Sequence, residues 1–131
     1  MQKLETMFEA QKNFVMDRPT FIENNNNPDK AAGQLLGEVQ ELIEAISLFA
    51  LDKVPIKEIG QELADVMNYL LNLCLIFDVD IFAEVMEKIA YNNFRYPASA
   101  FQDGDYKTSY LRQKDVVVFD GMKKDFYDNN A

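Results

Sequence analysis

Glu38-Val39-Gln40-Glu41 and Glu62-Leu63-Ala64-Asp65 are the segments of this chain best suited to chemistry. In each, two acids stand at i and i+3, so a helical segment sets both carboxylates on one face. The two pairs flank a turn signal at Asp52-Lys53, after which Pro55 suits the first position of a following helix. The first pair is centred 13 residues before the turn and the second 11 after it. In an antiparallel hairpin that mismatch is only about 3 Å of helical rise. Four carboxylates then meet at one level, where mutual repulsion calls for a cation, and an all-oxygen donor set suits a hard divalent ion. The chain has no histidine and one cysteine, Cys74. That excludes His/Cys zinc sites and Glu-x-x-His di-iron bundles. Mg²⁺ is the expected ion, with Mn²⁺ the alternative.

The elements that must position these acids are helices. Leu4, Met7, Phe8, Phe14 and Val15 predict an amphipathic N-terminal helix that ends near Asp17-Arg18-Pro19. Asn24 to Asn27 form a polar loop whose last residue suits an N-cap before Pro28 and Asp29. The helix that follows should run to about Ala50, with Leu35, Leu36, Val39, Leu42, Ile43, Ile46 and Phe49 as its apolar stripe. A third helix is expected from Pro55 to about Phe77, carrying Ile59, Leu63, Val66, Met67, Leu70, Leu73 and Leu75. Asp80 can cap a fourth, with Ile81, Phe82, Val85, Met86 and Ile89 facing inward and a stop before Pro97. Gly33 and Gly37 inside the second helix cost about 1 kcal/mol each relative to Ala, which points to close approach by another group.

The fold expected is therefore an all-α bundle of about four helices around an antiparallel hairpin, spanning residues 1–97. Residues 98–131 read as a separate tail. Asp103-Gly104-Asp105 is a turn signal, and Lys107 to Leu111 and Val116 to Phe119 have strand composition on either side of Arg112 to Asp115. A β-hairpin and an irregular arm reaching a partner subunit both fit it.

Charge narrows the partners. The net charge is −9, and residues 36–90 hold eleven acids against three lysines. Such a surface repels nucleic acid polymers, while a small anion stays compatible because bound divalent cations invert the local field. Cys74 lies in an apolar run and reads as a buried thiol that only packs. No segment is long enough to span a bilayer, no signal peptide is evident, and a cytoplasmic protein is the expectation.

Other side chains share the acidic faces. Glu58, Glu62, Asp65, Tyr69 and Asn72 follow helical steps on the third helix, as do Gln34, Glu38, Glu41 and Ala45 on the second. Lys88, Asn92 and Arg95 at i, i+4 and i+7 form one stripe of donors, which is what a polyphosphate requires opposite a metal cluster. Each has a plainer reading. A lone Glu-x-x-Glu is ordinarily a solvated helix face, Tyr69 a core aromatic with its hydroxyl at the rim, and Lys88 an ion-pair partner of Glu84. Arg95-Tyr96-Pro97 can simply end a helix, and Phe14 and Phe21 suit core packing better than stacking on a base.

Taken together, the segments resemble the MazG-like all-α nucleoside triphosphate pyrophosphohydrolases over about residues 28–97. Leu35 to Leu42 is similar to that family's first motif helix, Glu62 to Leu71 to its second, and Lys88 to Pro97 to its closing Lys-Asn-Arg-Tyr-Pro element. The resemblance implies Mg²⁺-dependent hydrolysis of a nucleoside triphosphate to a monophosphate and pyrophosphate. It implies that Glu38, Glu41, Glu62 and Asp65 bind the metal and that Glu38 or Glu41 also activates water. Lys88, Asn92 and Arg95 would hold phosphates, Tyr69 the sugar or base edge, and a homodimer or homotetramer would complete the bundle. Dimeric dUTPases and phosphoribosyl-ATP pyrophosphohydrolases use related bundles, so the substrate stays open. A non-catalytic helical interaction module is the alternative from another class.

Overall fold

The computed structural model describes residues 2–20, 27–102, 104, 107–109 and 126–129. Its long helices are α1 (Gln2–Met16), α2 (Pro28–Ala50), α3 (Ile56–Phe77) and α4 (Ile81–Arg95), followed by a 3₁₀ turn at Ala98–Phe101. No strand occurs among the described residues, so the all-α expectation holds.

Local chemistry sets the helix ends. Asn27 is extended, and its Oδ1 accepts from the N–H groups of Asp29 (3.0 Å) and Lys30 (3.3 Å), while Pro28 opens the helix. Such a cap is worth about 1 kcal/mol. Pro55 differs from expectation: it lies just outside α3 as an extended residue whose carbonyl accepts from Glu58 N–H at 3.0 Å. Its fixed φ suits that N-cap place as well as the first helical position. Asp78 closes α3 in the left-handed region at φ 52, and Val79 N–H bonds the Cys74 carbonyl at 2.9 Å. Pro97 follows α4, as its lack of a donor requires.

The chain divides into two compact units, Met1–Ile81 and Phe82–Ala131. In the first, α2 and α3 form a hairpin through the short turn after Leu51, and α1 packs against α3. Gln11 Nε2 on α1 donates to Asn72 Oδ1 on α3 at 2.8 Å. In the second, Tyr91 is the buried centre. The rings of Phe126 and Tyr127 lie 5.4 and 5.5 Å from it, and Phe126 also meets Phe94 at 5.4 Å. The stretch 126–129 thus folds back on α4 of its own chain.

Several expectations about packing need correction. Among the described residues the buried apolar set is small: Ala31, Ala45, Leu71, Cys74 and Tyr91. Leu36, Ile43, Ile46 and Phe49 on α2 are exposed, as are Leu63, Met67 and Leu70 on α3. Val85, Met86 and Ile89 do not face inward but stand exposed on α4. The pattern of apolar residues tells which face is apolar and not what covers it. Ala31, Glu38 and Ala45 recur every seven residues, so the side of α2 with the buried small residues is also the side with the acids. A Cβ at Gly33 or Gly37 would meet nothing within 4 Å, so no described neighbour approaches either glycine closely. Lys107, Thr108 and Ser109 are helical rather than extended, since strand composition is easily overridden by context. Phe21, 24–26, 103, 105 and 110–119 lie outside the described residues.

Candidate metal centre

The turn between α2 and α3 brings three of the four predicted acids together. Glu38 and Glu41 on α2 and Glu62 on α3 each offer a carboxylate oxygen, and these oxygens lie within 4.8 Å of one another. Glu38 and Glu62 are half-buried, Glu41 exposed. The Oε2 atoms of Glu38 and Glu62 are shielded from solvent and have no hydrogen-bond partner. Removing a carboxylate oxygen from water without a partner is costly, so the arrangement is complete only when a proton or a cation meets those oxygens.

The electrostatics agree. Burial pushes the Glu38 carboxyl above the ordinary carboxylate range. The Glu41 charge, a hydrogen bond with Glu41 and the charges of Asp65 and Glu62 add to the rise. Glu62 is raised in the same way, first by burial, then by the charges of Glu41 and Asp65, a hydrogen bond with Glu41, and the charge of Glu58. Asp65 is exposed and is not one of the three whose oxygens converge, but its charge reaches both. Converging carboxylates, two of which also keep a shielded Oε2 without a hydrogen-bond partner, fit a divalent cation of the Mg²⁺ or Mn²⁺ class.

Tyr69 sits one turn beyond Asp65 and is half-buried. Burial raises its hydroxyl above the usual value, and the charges of Glu38, Asp65 and Glu41 raise it further. Its hydroxyl is therefore within electrostatic reach of the acids, on the helical face that Tyr69 shares with Asp65. Cys74 is buried and its thiol pushed up by that burial, which matches a packing role.

The predicted donors lie in the unit Phe82–Ala131 and gather around one ring. Lys88 Nζ is 5.2 Å from the Tyr91 centroid, and Arg95 Cζ is 4.8 Å from it. The Arg95 guanidinium is also 4.6 Å from the Tyr96 ring, and its Nε donates to Asn92 Oδ1 at 3.1 Å. Two contacts on a buried or half-buried ring hold a guanidinium more firmly than solvent does. Lys88, Asn92 and Arg95 are thus one ordered group, with Tyr91 as a platform that the stripe alone did not disclose.

Sequence reasoning also missed the Gln11–Asn72 bond. Asn72 stands out as a polar residue in the run Leu70-Leu71-Asn72-Leu73-Cys74, on the same face as Asp65 and Tyr69. Nothing in α1 marks Gln11 as its partner, because 61 residues separate them.

Comparison with the curated proteins and with the solved structures gave no match. The family model described as the MazG nucleotide pyrophosphohydrolase domain matches residues 26–97, from the cap of α2 through Pro97. That span holds all four acids, Tyr69 and the donor stripe, more than half of the chain, and the chain belongs to the MazG nucleotide pyrophosphohydrolase domain family.

Proposed function

We propose that this chain is a Mg²⁺-dependent nucleoside triphosphate pyrophosphohydrolase, taking a ribo- or deoxyribonucleoside triphosphate to the monophosphate and pyrophosphate. The observation that carries the reading is the pair of buried, unpartnered oxygens, Glu38 Oε2 and Glu62 Oε2, beside Glu41. Glu38, Glu41, Glu62 and Asp65 hold the ion; Mn²⁺ fits the same oxygen set. Bound there, the metal supplies charge neutralisation along the phosphate chain and Lewis acidity.

The residues do the rest. Glu38 or Glu41 orients a water and takes its proton as the water oxygen adds to the α-phosphorus. The bond from that phosphorus to its bridging oxygen breaks, and pyrophosphate leaves. Lys88 and Arg95 meet the phosphate oxygens as cations, with Asn92 holding the Arg95 Nε edge. Tyr69, on the same face of α3 as Asp65, contacts the sugar or base edge.

A homodimer or homotetramer supports this site. On α3, Ile56, Leu63, Leu70 and Phe77 recur every seven residues and all are exposed, Ile56 by 70% and Phe77 by 59%. On α2, Leu36, Ile43 and Ile46 are exposed, with half-buried Val39 between them at heptad a/d spacing. A second copy of the hairpin covers such stripes by pairing like with like. No single described helix is long and apolar enough to cross a membrane. A cytoplasmic setting and a free nucleotide as substrate, rather than a nucleic acid polymer, accord with the single thiol and the charge of −9.

The reading is tested by thermal unfolding with Mg²⁺ and nucleotide together. Ligand at about a hundred times its Kd adds about 2.7 kcal/mol. Stabilisation by the pair, absent in Glu41→Gln, is the expected result. No stabilisation by any of the common nucleoside triphosphates overturns it.

A further inference from the structure

The Gln11–Asn72 pair has a placement that helix packing alone does not require. Asn72 is 3% exposed, Gln11 is half-buried, and one bond of 2.8 Å joins them. A glutamine free to turn offers donor and acceptor interchangeably. This one donates through Nε2 to Asn72 Oδ1, which leaves the acceptor Oε1, the other end of the same rigid amide, turned away from that bond.

Glu62, Asp65, Tyr69 and Asn72 follow one another at steps of three, four and three on α3, hence on one face. From Asp65 to Asn72 the helix rises about 10 Å, with Tyr69 between. That span matches the reach of a nucleotide from its phosphates past the sugar to the base. Toward the other end of the same face stands Glu58, another carboxylate, which has no use for a neutral base. The amide end is the neutral, hydrogen-bonding end.

We propose that Gln11 is the residue that reads the nucleobase and that Asn72 positions it. Gln11 Oε1 accepts from an N–H of the base, and the second N–H of Nε2 donates to the neighbouring ring nitrogen or carbonyl. The ligand class is a base edge that carries a donor beside an acceptor. The inference rests on the pyrophosphohydrolase reading above and deepens it. A site built to hydrogen-bond its substrate rejects an analogue that lacks those groups far more strongly than an apolar pocket does.

The test is a quotient. The kcat/KM for each common nucleoside triphosphate is divided by that for ribose 5-triphosphate, which has no base, under the same Mg²⁺. Effects on folding, metal and phosphate contacts are common to both substrates and cancel. In the wild type the quotient is expected to be large for the preferred base. In Gln11→Met it should fall about tenfold or more, the scale of one lost hydrogen bond that leaves a partner unsatisfied. Asn72→Leu should lower it likewise, and Asn72→Asp, which keeps the acceptor for Gln11 Nε2, should restore most of it. An unchanged quotient in Gln11→Met overturns the inference and leaves the activity standing, even if the melting temperature falls. A wild-type quotient near one for every base also overturns it alone. A wild type that hydrolyses no nucleotide removes the proposed function, and this inference with it.

Discussion

Glu38 and Glu62 bring carboxylate oxygens within 4.8 Å of each other across the α2–α3 turn, and each keeps its Oε2 buried and unpaired. Without a cation, the repulsion there works against the fold. In metal-free protein, Glu38→Gln is expected to raise the melting temperature by a few degrees, because one charge leaves a crowded cluster. The same variant should lose the stabilisation that Mn²⁺ gives the wild type. Thermal scans in chelator and in Mn²⁺ measure both. A variant that is destabilised in chelator, yet stabilised by Mn²⁺ as before, contradicts the metal assignment.

Arg95 stacks against Tyr91 and Tyr96 and bonds Asn92, so its truncation tests two roles at once. Arg95→Ala should weaken nucleotide binding tenfold to a hundredfold, or about 1.5–3 kcal/mol for a charge-assisted contact to phosphate. Mn²⁺ binding in the absence of nucleotide should stay within about twofold of the wild type, on the scale of a contact the ion does not make. Titration calorimetry with Mn²⁺ alone and with Mn²⁺ plus a non-hydrolysed nucleotide separates the two. A lower melting temperature with unchanged nucleotide affinity would make Arg95 purely structural.

The exposed stripe on α3 predicts assembly. Leu63→Glu with Leu70→Lys places charges in the middle of the heptad row and should shift sedimentation toward a monomer. Helical circular dichroism should largely persist below the melting point, which should be lower. An unchanged sedimentation coefficient would put the oligomer contact elsewhere.

How far the sequence reaches can be seen at particular residues. Asn27 and Pro28 announce the start of α2, and the turn at Asp52 sets the hairpin register; spacing alone predicts four converging carboxylates, of which Glu38, Glu41 and Glu62 meet and Asp65 does not. Those signals are local, spanning a few residues and one turn. The exposure of Val85, Met86 and Ile89, and the meeting of Gln11 with Asn72, depend on packing between residues far apart in the sequence. Periodicity carries no information on either, and the inward-facing reading of α4 failed at Val85, Met86 and Ile89 for that reason, while Ile81 and Phe82 are half-buried.

Gly33 offers a check on what lies outside the described neighbours. With open space around a Cβ there, Gly33→Ala should stabilise α2 by about 0.5–1 kcal/mol through its helix preference and a less flexible unfolded chain. Urea unfolding measures this directly. Destabilisation, or loss of nucleotide binding in a normally folded variant, would show that a subunit or substrate approaches the glycine.

The central claim is the reaction, and product analysis tests it most directly. Incubated with Mg²⁺ and a panel of ribo- and deoxyribonucleoside triphosphates, the wild type should release pyrophosphate and monophosphate in equal amounts. Release should stop in chelator and fall at least about a hundredfold in Glu41→Gln, the scale of a lost general base or metal ligand. A diphosphate and orthophosphate as the products, or pyrophosphate release that Glu41→Gln leaves untouched, would contradict the account.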